Sequence, residues 1–190
     1  MRKILRKFEE LHRKGKTFEE ISENIFLNYS AIKDIDLIYE IKKEISKEFS
    51  VNLMHIHLIG SSHTGFSKDF VEKDGKDYDF CIIDSQIFQE FLLKVKTNEI
   101  ASGNLKCFYK NLTEGKLHYH YVDDELKTKL YGIFEKIRMK LLIDKEISVC
   151  FYISEKAFIK KISKFLEMKY FGHKSLGKMT IEPLEKIKER

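Results

Sequence analysis

Along the first fifty residues apolar positions recur at the three-and-four spacing of an amphipathic helix. Ile4, Leu5, Phe8 and Leu11 form one such stripe. Thr17, with Glu20 three residues later, has the form of a capping box and opens a second short helix through Ile21 and Ile25. Ser30 is placed to cap a third, whose stripe runs Ile32, Ile35, Ile38, Ile41, Ile45 and Phe49. Beyond residue 50 the period shortens. Residues 53–59 (LMHIHLI), bounded by Gly60, predict a strand, and 78–83 predict a second. A helix is expected over 85–95. Segments 105–109 and 117–122 flank the turn-forming Asn-Leu-Thr-Glu-Gly-Lys and read as a hairpin. Leu126, Leu130, Ile133, Phe134, Ile137 and Leu141 mark a long helix, and 147–153 a fifth strand. Ser154 caps a last helix through Ile162, Phe165 and Leu166, which Gly172 ends or turns into a loop. The tail after Pro183 reads as a short charged helix or a frayed end.

This order predicts a mixed α/β (α+β) domain with a central sheet of about five strands. Three stretches divide it: an N-terminal helical segment, 1–50, packing on the core; a sheet core, 51–153; and a basic C-terminal helical region, 154–190. Composition agrees with a packed globule. The chain has 190 residues, 43% hydrophobic and 34% charged, with one proline and nine glycines, which excludes collagen-like, linker-like and disordered classes. No apolar run approaches the roughly 20 residues that cross a bilayer, and the opening MRKILRKFEELHRK is no secretory signal. The expectation is a cytoplasmic protein with no membrane partner. Cys81, Cys107 and Cys150 lack the spacing of a zinc knuckle or redox motif and are expected as buried, reduced thiols.

The net charge of +5 is unevenly placed. Residues 155–190 hold ten Lys/Arg and five Asp/Glu, so this end carries the whole excess. That bias points to an anionic partner such as a nucleotide, a nucleic acid or a membrane surface, with a solvated lysine face as the plain alternative.

Residues 59–84 hold the sharpest chemistry. Ile59-Gly60-Ser61-Ser62 is followed by a 14-residue loop, 63–76, and then by Asp77-Tyr78-Asp79-Phe80-Cys81-Ile82-Ile83. Strand alternation sets Asp77 and Asp79 on one face, about 7 Å apart along the chain, with Tyr78, Phe80 and Ile82 on the other. Two adjacent carboxylates repel and call for a counter-charge. Mg²⁺ supplies one, since it takes a few hard oxygen ligands and completes its shell with water and phosphate. Gly60 permits close backbone approach to a phosphate, and Ser61 and Ser62 offer donors at the same bend.

Together these parts resemble the DNA polymerase β-like nucleotidyltransferase superfamily, in which a Gly-Ser turn after a strand precedes an acid-x-acid strand. The wide gap and Asp-Tyr-Asp-Phe are nearest to its cyclic GMP-AMP synthase-like branch. The resemblance covers about residues 51–124. It implies a nucleotidyltransferase-like sheet core with Gly60, Ser61 and Ser62 as triphosphate contacts and Asp77 and Asp79 as magnesium ligands, in a site open to two ions. The implied reaction is in-line attack of an acceptor hydroxyl on the α-phosphate of a nucleoside triphosphate. A third acid is expected on a neighbouring strand, where Leu117-His-Tyr-His-Tyr-Val-Asp-Asp offers Asp123 or Asp124 at its end. If Leu117, Tyr119 and Tyr121 face the core, His118, His120, Val122 and Asp124 take the open face, with histidines where the family has an acid.

Further residues are weighed beside this site. Gly172-His-Lys-Ser-Leu-Gly177-Lys178 follows the phosphate-loop spacing except that Met179 stands where Ser or Thr is needed. Lys174 and Lys178 remain candidate phosphate contacts. His55/His57 and His118/His120 are paired on predicted strands, so a four-imidazole zinc site is one reading and hydrogen-bonded histidines the other. His63 is a phosphate contact or a plain loop residue. Phe108, Tyr109, Tyr119 and Tyr121 are core residues or a platform for bases. Three functional expectations follow: magnesium-dependent nucleotidyl transfer from a nucleoside triphosphate to a nucleic-acid or protein acceptor; a catalytically degenerate nucleic-acid-binding module on the same fold; and a toxin- or antitoxin-type component.

Overall fold

The capping box closes as the sequence requires. Glu20 N donates to Thr17 Oγ1 at 3.2 Å and Thr17 N donates to the Glu20 carboxylate at 2.8 Å. In the computed structural model, which describes residues 2–28, 30–66 and 73–175, this pair opens helix α2 (Phe18–Asn28) after α1 (Arg2–Arg13). The next helix, α3 (Ile35–Phe49), starts later than Ser30. Asp34 is its cap, with the carboxylate accepting Leu37 N at 2.9 Å. Asp is as good a cap as Ser, and here it lies at the first residue from which the buried stripe Ile38, Ile41, Ile45, Phe49 is in phase.

Among the described residues the sheet has four strands rather than five: β1 (Ile56–Ile59), β2 (Asp77–Ile83), β3 (Lys116–His118) and β4 (Glu146–Tyr152), in the order β1-β2-β4-β3. β2 and β4 are parallel, and the two outer strands run antiparallel to their neighbours. The expected strand at 105–109 is part of helix α6 (Ser102–Thr113). Leu105, Phe108 and Leu112 are spaced three and four apart, so one helix face packs them on the core. The strand expected over 117–122 stops at His118. There His120 N turns back to donate to His118 Nδ1 at 3.3 Å, and the chain winds into a short 3-10 turn. Val122, expected on an open face, is buried. At 53–55 a 3-10 turn capped by Asn52 replaces the start of the first strand.

Helices α4 (Gly60–Thr64), α5 (Ser85–Lys94), α7 (Asp124–Lys140) and α8 (Glu155–Ser175) complete the described elements. Among the described residues no helix is long and apolar enough to cross a membrane. One sheet face carries Ile56, Leu58, Phe80, Ile82, Val149, Phe151 and Leu117 into the main core, under α3, α5, α6 and α7. A second cluster joins Phe8, Leu11, Ile21 and Ile25 to Leu166 of α8. α8 begins where Ser154 Oγ accepts Ala157 N at 3.2 Å, and it continues past Gly172 to Ser175.

Glu44 is a buried carboxylate, 6% exposed, held between Lys140 and Lys47 at 2.6 Å each. Hydrogen bonds from Lys140, then Lys47, push its pKa down to about 2. A depressed carboxylate stabilises the fold above its unfolded pKa and loses that contribution as pH falls through the folded value. Denaturant titrations between pH 5 and 2, flagged by the ordinary glutamate value near 4.3 and the folded value of about 2, should therefore show stability falling, and Glu44→Gln should flatten that part of the profile. An unchanged slope in the variant would show that the two lysines do not select the ionised form.

Candidate functional site

Strand β2 emerges from a polar loop and becomes buried along its length; β4 does the same beside it. Their parallel register pairs Asp77 with Glu146, Asp79 with Ser148 and Cys81 with Cys150. Register partners in neighbouring strands project to the same side of a sheet, so Asp77, Asp79, Glu146 and Ser148 share one face. The far half of this face, from Cys81 and Cys150 to Ile83 and Tyr152, is covered by Phe158 of α8 and Phe26 of α2. The near half keeps its acids half-buried (Asp77, Asp79) or exposed (Glu146). Ser148 Oγ donates to Asp79 Oδ1 at 2.5 Å, fixing that carboxylate.

The Gly-Ser bend meets the same place. β1 pairs Ile59 with Asp79, and the next residue, Gly60, adopts φ +69°. A Cβ on Gly60 would lie 3.1 Å from Asp79 Oδ2, so only glycine lets the bend press on the carboxylate without strain. Ser62 Oγ donates to the Asp77 carbonyl. Gly75 approaches Ser62 so closely that a Cβ there would fall 2.7 Å from Ser62 Cα. Behind the bend His63 is buried. Its Nε2–H donates to Phe26 O at 3.2 Å and its carbonyl accepts Ala31 N at 2.8 Å. Burial pushes the His63 pKa down, and its Nδ1 has no partner among the described residues. His63 thus anchors the bend to α2 from the inside.

A cleft of about 180 Å³ opens on the other side of the bend, lined by Ser61, Ser62, Tyr78, Lys33, Lys73 and Lys145. Lys33 pairs with Asp74 at 2.8 Å, and Lys145 donates to Gly75 O at 2.7 Å with its ammonium 4.9 Å from the Tyr78 ring centre. This cleft lies on the Tyr78 face, opposite Asp77, Asp79 and Glu146, none of which lines it, so Glu146 is the site residue that sequence reasoning missed. The only local signal for Glu146 was an acid opening the strand at 147, in step with Ser148.

The remaining candidates fall elsewhere. Asp123 is 1% exposed and caps α7, with Oδ1 accepting Leu126 N at 3.0 Å and Oδ2 accepting Lys96 N at 2.9 Å, so both oxygens serve backbone amides. Lys174 lies on α8 with its side chain outside the described residues, and Lys178 lies outside them altogether. The four histidines do not meet. His57 is on β1 and His118 on β3, at opposite edges of the sheet and so about 14 Å apart at three strand spacings. His55 instead bonds Asp84 through Nδ1 at 2.9 Å. The cysteines are free thiols, with Cys81 and Cys150 buried and pushed up in pKa by that burial.

Rings gather beside the acids. His118 and His120 lie nearly parallel, 17° apart with centroids at 5.0 Å, and Tyr119 and His120 approach to 4.0 Å. Burial, then Lys116 and His120, lowers the His118 pKa to about 3. His120 is lowered by burial and Lys127 against the opposing pull of Asp79 and Glu146, whose charge also raises Tyr119 beyond the effect of burial.

Asp77 and Asp79 set two carboxylates on one face, hard oxygen donors of the kind that Mg²⁺ takes. Among the described residues there is no group of three or more His, Cys, Asp or Glu side chains arranged to hold a metal. Comparison of the chain with protein-family models, curated proteins and solved structures found no match.

Proposed function

We propose that the chain is a nucleotidyltransferase-type protein that binds a nucleoside triphosphate with Mg²⁺ and transfers its nucleotidyl group to an acceptor hydroxyl. The observation that carries this reading is the close approach of the bend to Asp79: Ile59 pairs with it, and a Cβ on Gly60 would fall 3.1 Å from its Oδ2. Asp77 and Asp79 hold the metal, which when bound neutralises charge on the reacting and leaving phosphates. Ser61 and Ser62, at the bend that meets Asp79, donate to phosphate oxygens. Glu146, paired in register with Asp77, accepts the proton of the attacking hydroxyl as its oxygen bonds to the α-phosphorus and pyrophosphate leaves. Ser148 keeps Asp79 aimed at the site throughout.

A second reading is binding without catalysis: among the described residues no three His, Cys, Asp or Glu side chains are arranged to hold a metal ion. Calorimetry with ATP separates the two. The transferase reading expects binding that needs Mg²⁺ and is lost with EDTA. Magnesium-independent binding of single-stranded nucleic acid that weakens steeply with salt would favour the binding module instead.

A further inference from the structure

The ring cluster at 118–120 takes no part in the chemistry just described, yet it leaves the sheet beside that site: His118 pairs with Cys150 of β4, two residues on from Ser148, which pairs with Asp79. Its order is suggestive of a platform. His118 is half-buried at the edge of the sheet, Tyr119 is packed edge-on against Phe134 at 5.4 Å, and His120 is the exposed ring of the three. Two hydrogen bonds hold this arrangement: His120 N donates to the His118 ring Nδ1 at 3.3 Å, and the Asn104 amide donates from Nδ2 to His120 O at 3.4 Å. Of the other aromatic candidates, Phe108 is buried in the core and Tyr109 lies edge-on to it on α6.

We propose that the His118–Tyr119–His120 stack is the nucleobase platform of this site, with the base lying on the His120 ring while the phosphates lie at the Gly60–Ser62 bend. The proposal rests on the nucleotide reading above and gives it a substrate class: whole nucleotides, recognised by the flat face of the base. A nucleotide is the ligand that needs both halves of this surface, hard oxygen and cation sites for phosphate and an aromatic face for the base. Burial, then Lys127, pushes the His120 pKa down, which favours the uncharged ring for stacking. Every base has such a face, so the platform discriminates weakly, favouring purines by overlap.

The test uses the whole protein with Mg²⁺ and two probes, ATP and inorganic tripolyphosphate, by calorimetry. ATP is expected to bind more tightly than tripolyphosphate. His120→Ala should weaken ATP about tenfold, leave tripolyphosphate unaffected, and be rescued by His120→Phe. An alanine variant that binds ATP like the wild type overturns the platform, as does equal affinity for the two probes. If the wild type binds neither, the nucleotide reading itself falls, an outcome distinct from loss of the platform alone.

Discussion

Asp79→Ala is expected to abolish magnesium-dependent nucleotidyl transfer while leaving the protein folded. The carboxylate lies close to the Gly-Ser bend on one side and receives the Ser148 hydroxyl on the other, so in the proposed reading it joins the metal and phosphate halves of the site. Metal-assisted charge stabilisation is worth several kcal/mol in the transition state, and each 1.36 kcal/mol is tenfold in rate, so a loss of roughly a thousandfold or more is expected. Against stability the cost is small. The Ser148 hydrogen bond is lost, worth about 1 kcal/mol, and the repulsion between Asp79 and Asp77 goes with it. Radiolabel transfer from an α-labelled nucleoside triphosphate, with circular dichroism as the folding control, checks both halves. Transfer at the wild-type level in the variant would defeat the assignment, and an unfolded variant would be answered with Asp79→Asn, which keeps size and a hydrogen-bond acceptor for Ser148.

The parts of this site legible in the sequence are those set by local rules. Polar and aromatic residues alternate over Asp77–Phe80, and Phe80 enters the core, so the acids could be assigned to the other face without knowing the partner strands. The capping box at Thr17 and the cap at Ser154 are equally local. Glu146 could not be found that way. Its place beside Asp77 follows from a parallel pairing between strands some seventy residues apart, which no short window contains. The lysine cleft has the same origin, since Lys33, Lys73 and Lys145 are gathered from three separate segments. Where the sequence reading went astray, the local signal was ambiguous. Leu105, Phe108 and Leu112 fit a helix as well as a strand, and the turn residues after them suited a hairpin that the packing does not form. The third acid was sought at Asp123 because it ends the run after Leu117, but an Asp just before a helical stripe is first of all a cap.

Phe151→Ala is expected to be the most destabilising single change on the buried side of the sheet. Phe151 is fully buried at the end of β4, which pairs with both β2 and β3, and sits in register with Ile82 and Leu117. Its ring stacks on Phe91 of α5 at 4.6 Å and 18°, and meets Phe49 of α3 edge-on at 5.5 Å. Removing it empties the junction of two helices and three strands, with no neighbour free to close the gap, since these partners are themselves packed in the main core. Truncations of this kind cost about 3–5 kcal/mol, a large share of the roughly 5–15 kcal/mol that holds a domain together. At about 2–4 °C per kcal/mol for a chain of this size, the thermal midpoint should fall by roughly 6–20 °C. An exposed residue gives the contrast: Leu93, 87% exposed, should tolerate alanine within about 0.5 kcal/mol. Because β4 also carries Glu146 and Ser148 at its other end, the variant separates fold from site. At a temperature where it remains folded, ATP binding should persist, since the lost ring lies on the opposite face from the acids. A loss of stability under about 1 kcal/mol would mean that this ring does not anchor the core, and the packing that sets β2 beside β4, and so the acids beside each other, would have to come from elsewhere in the sheet.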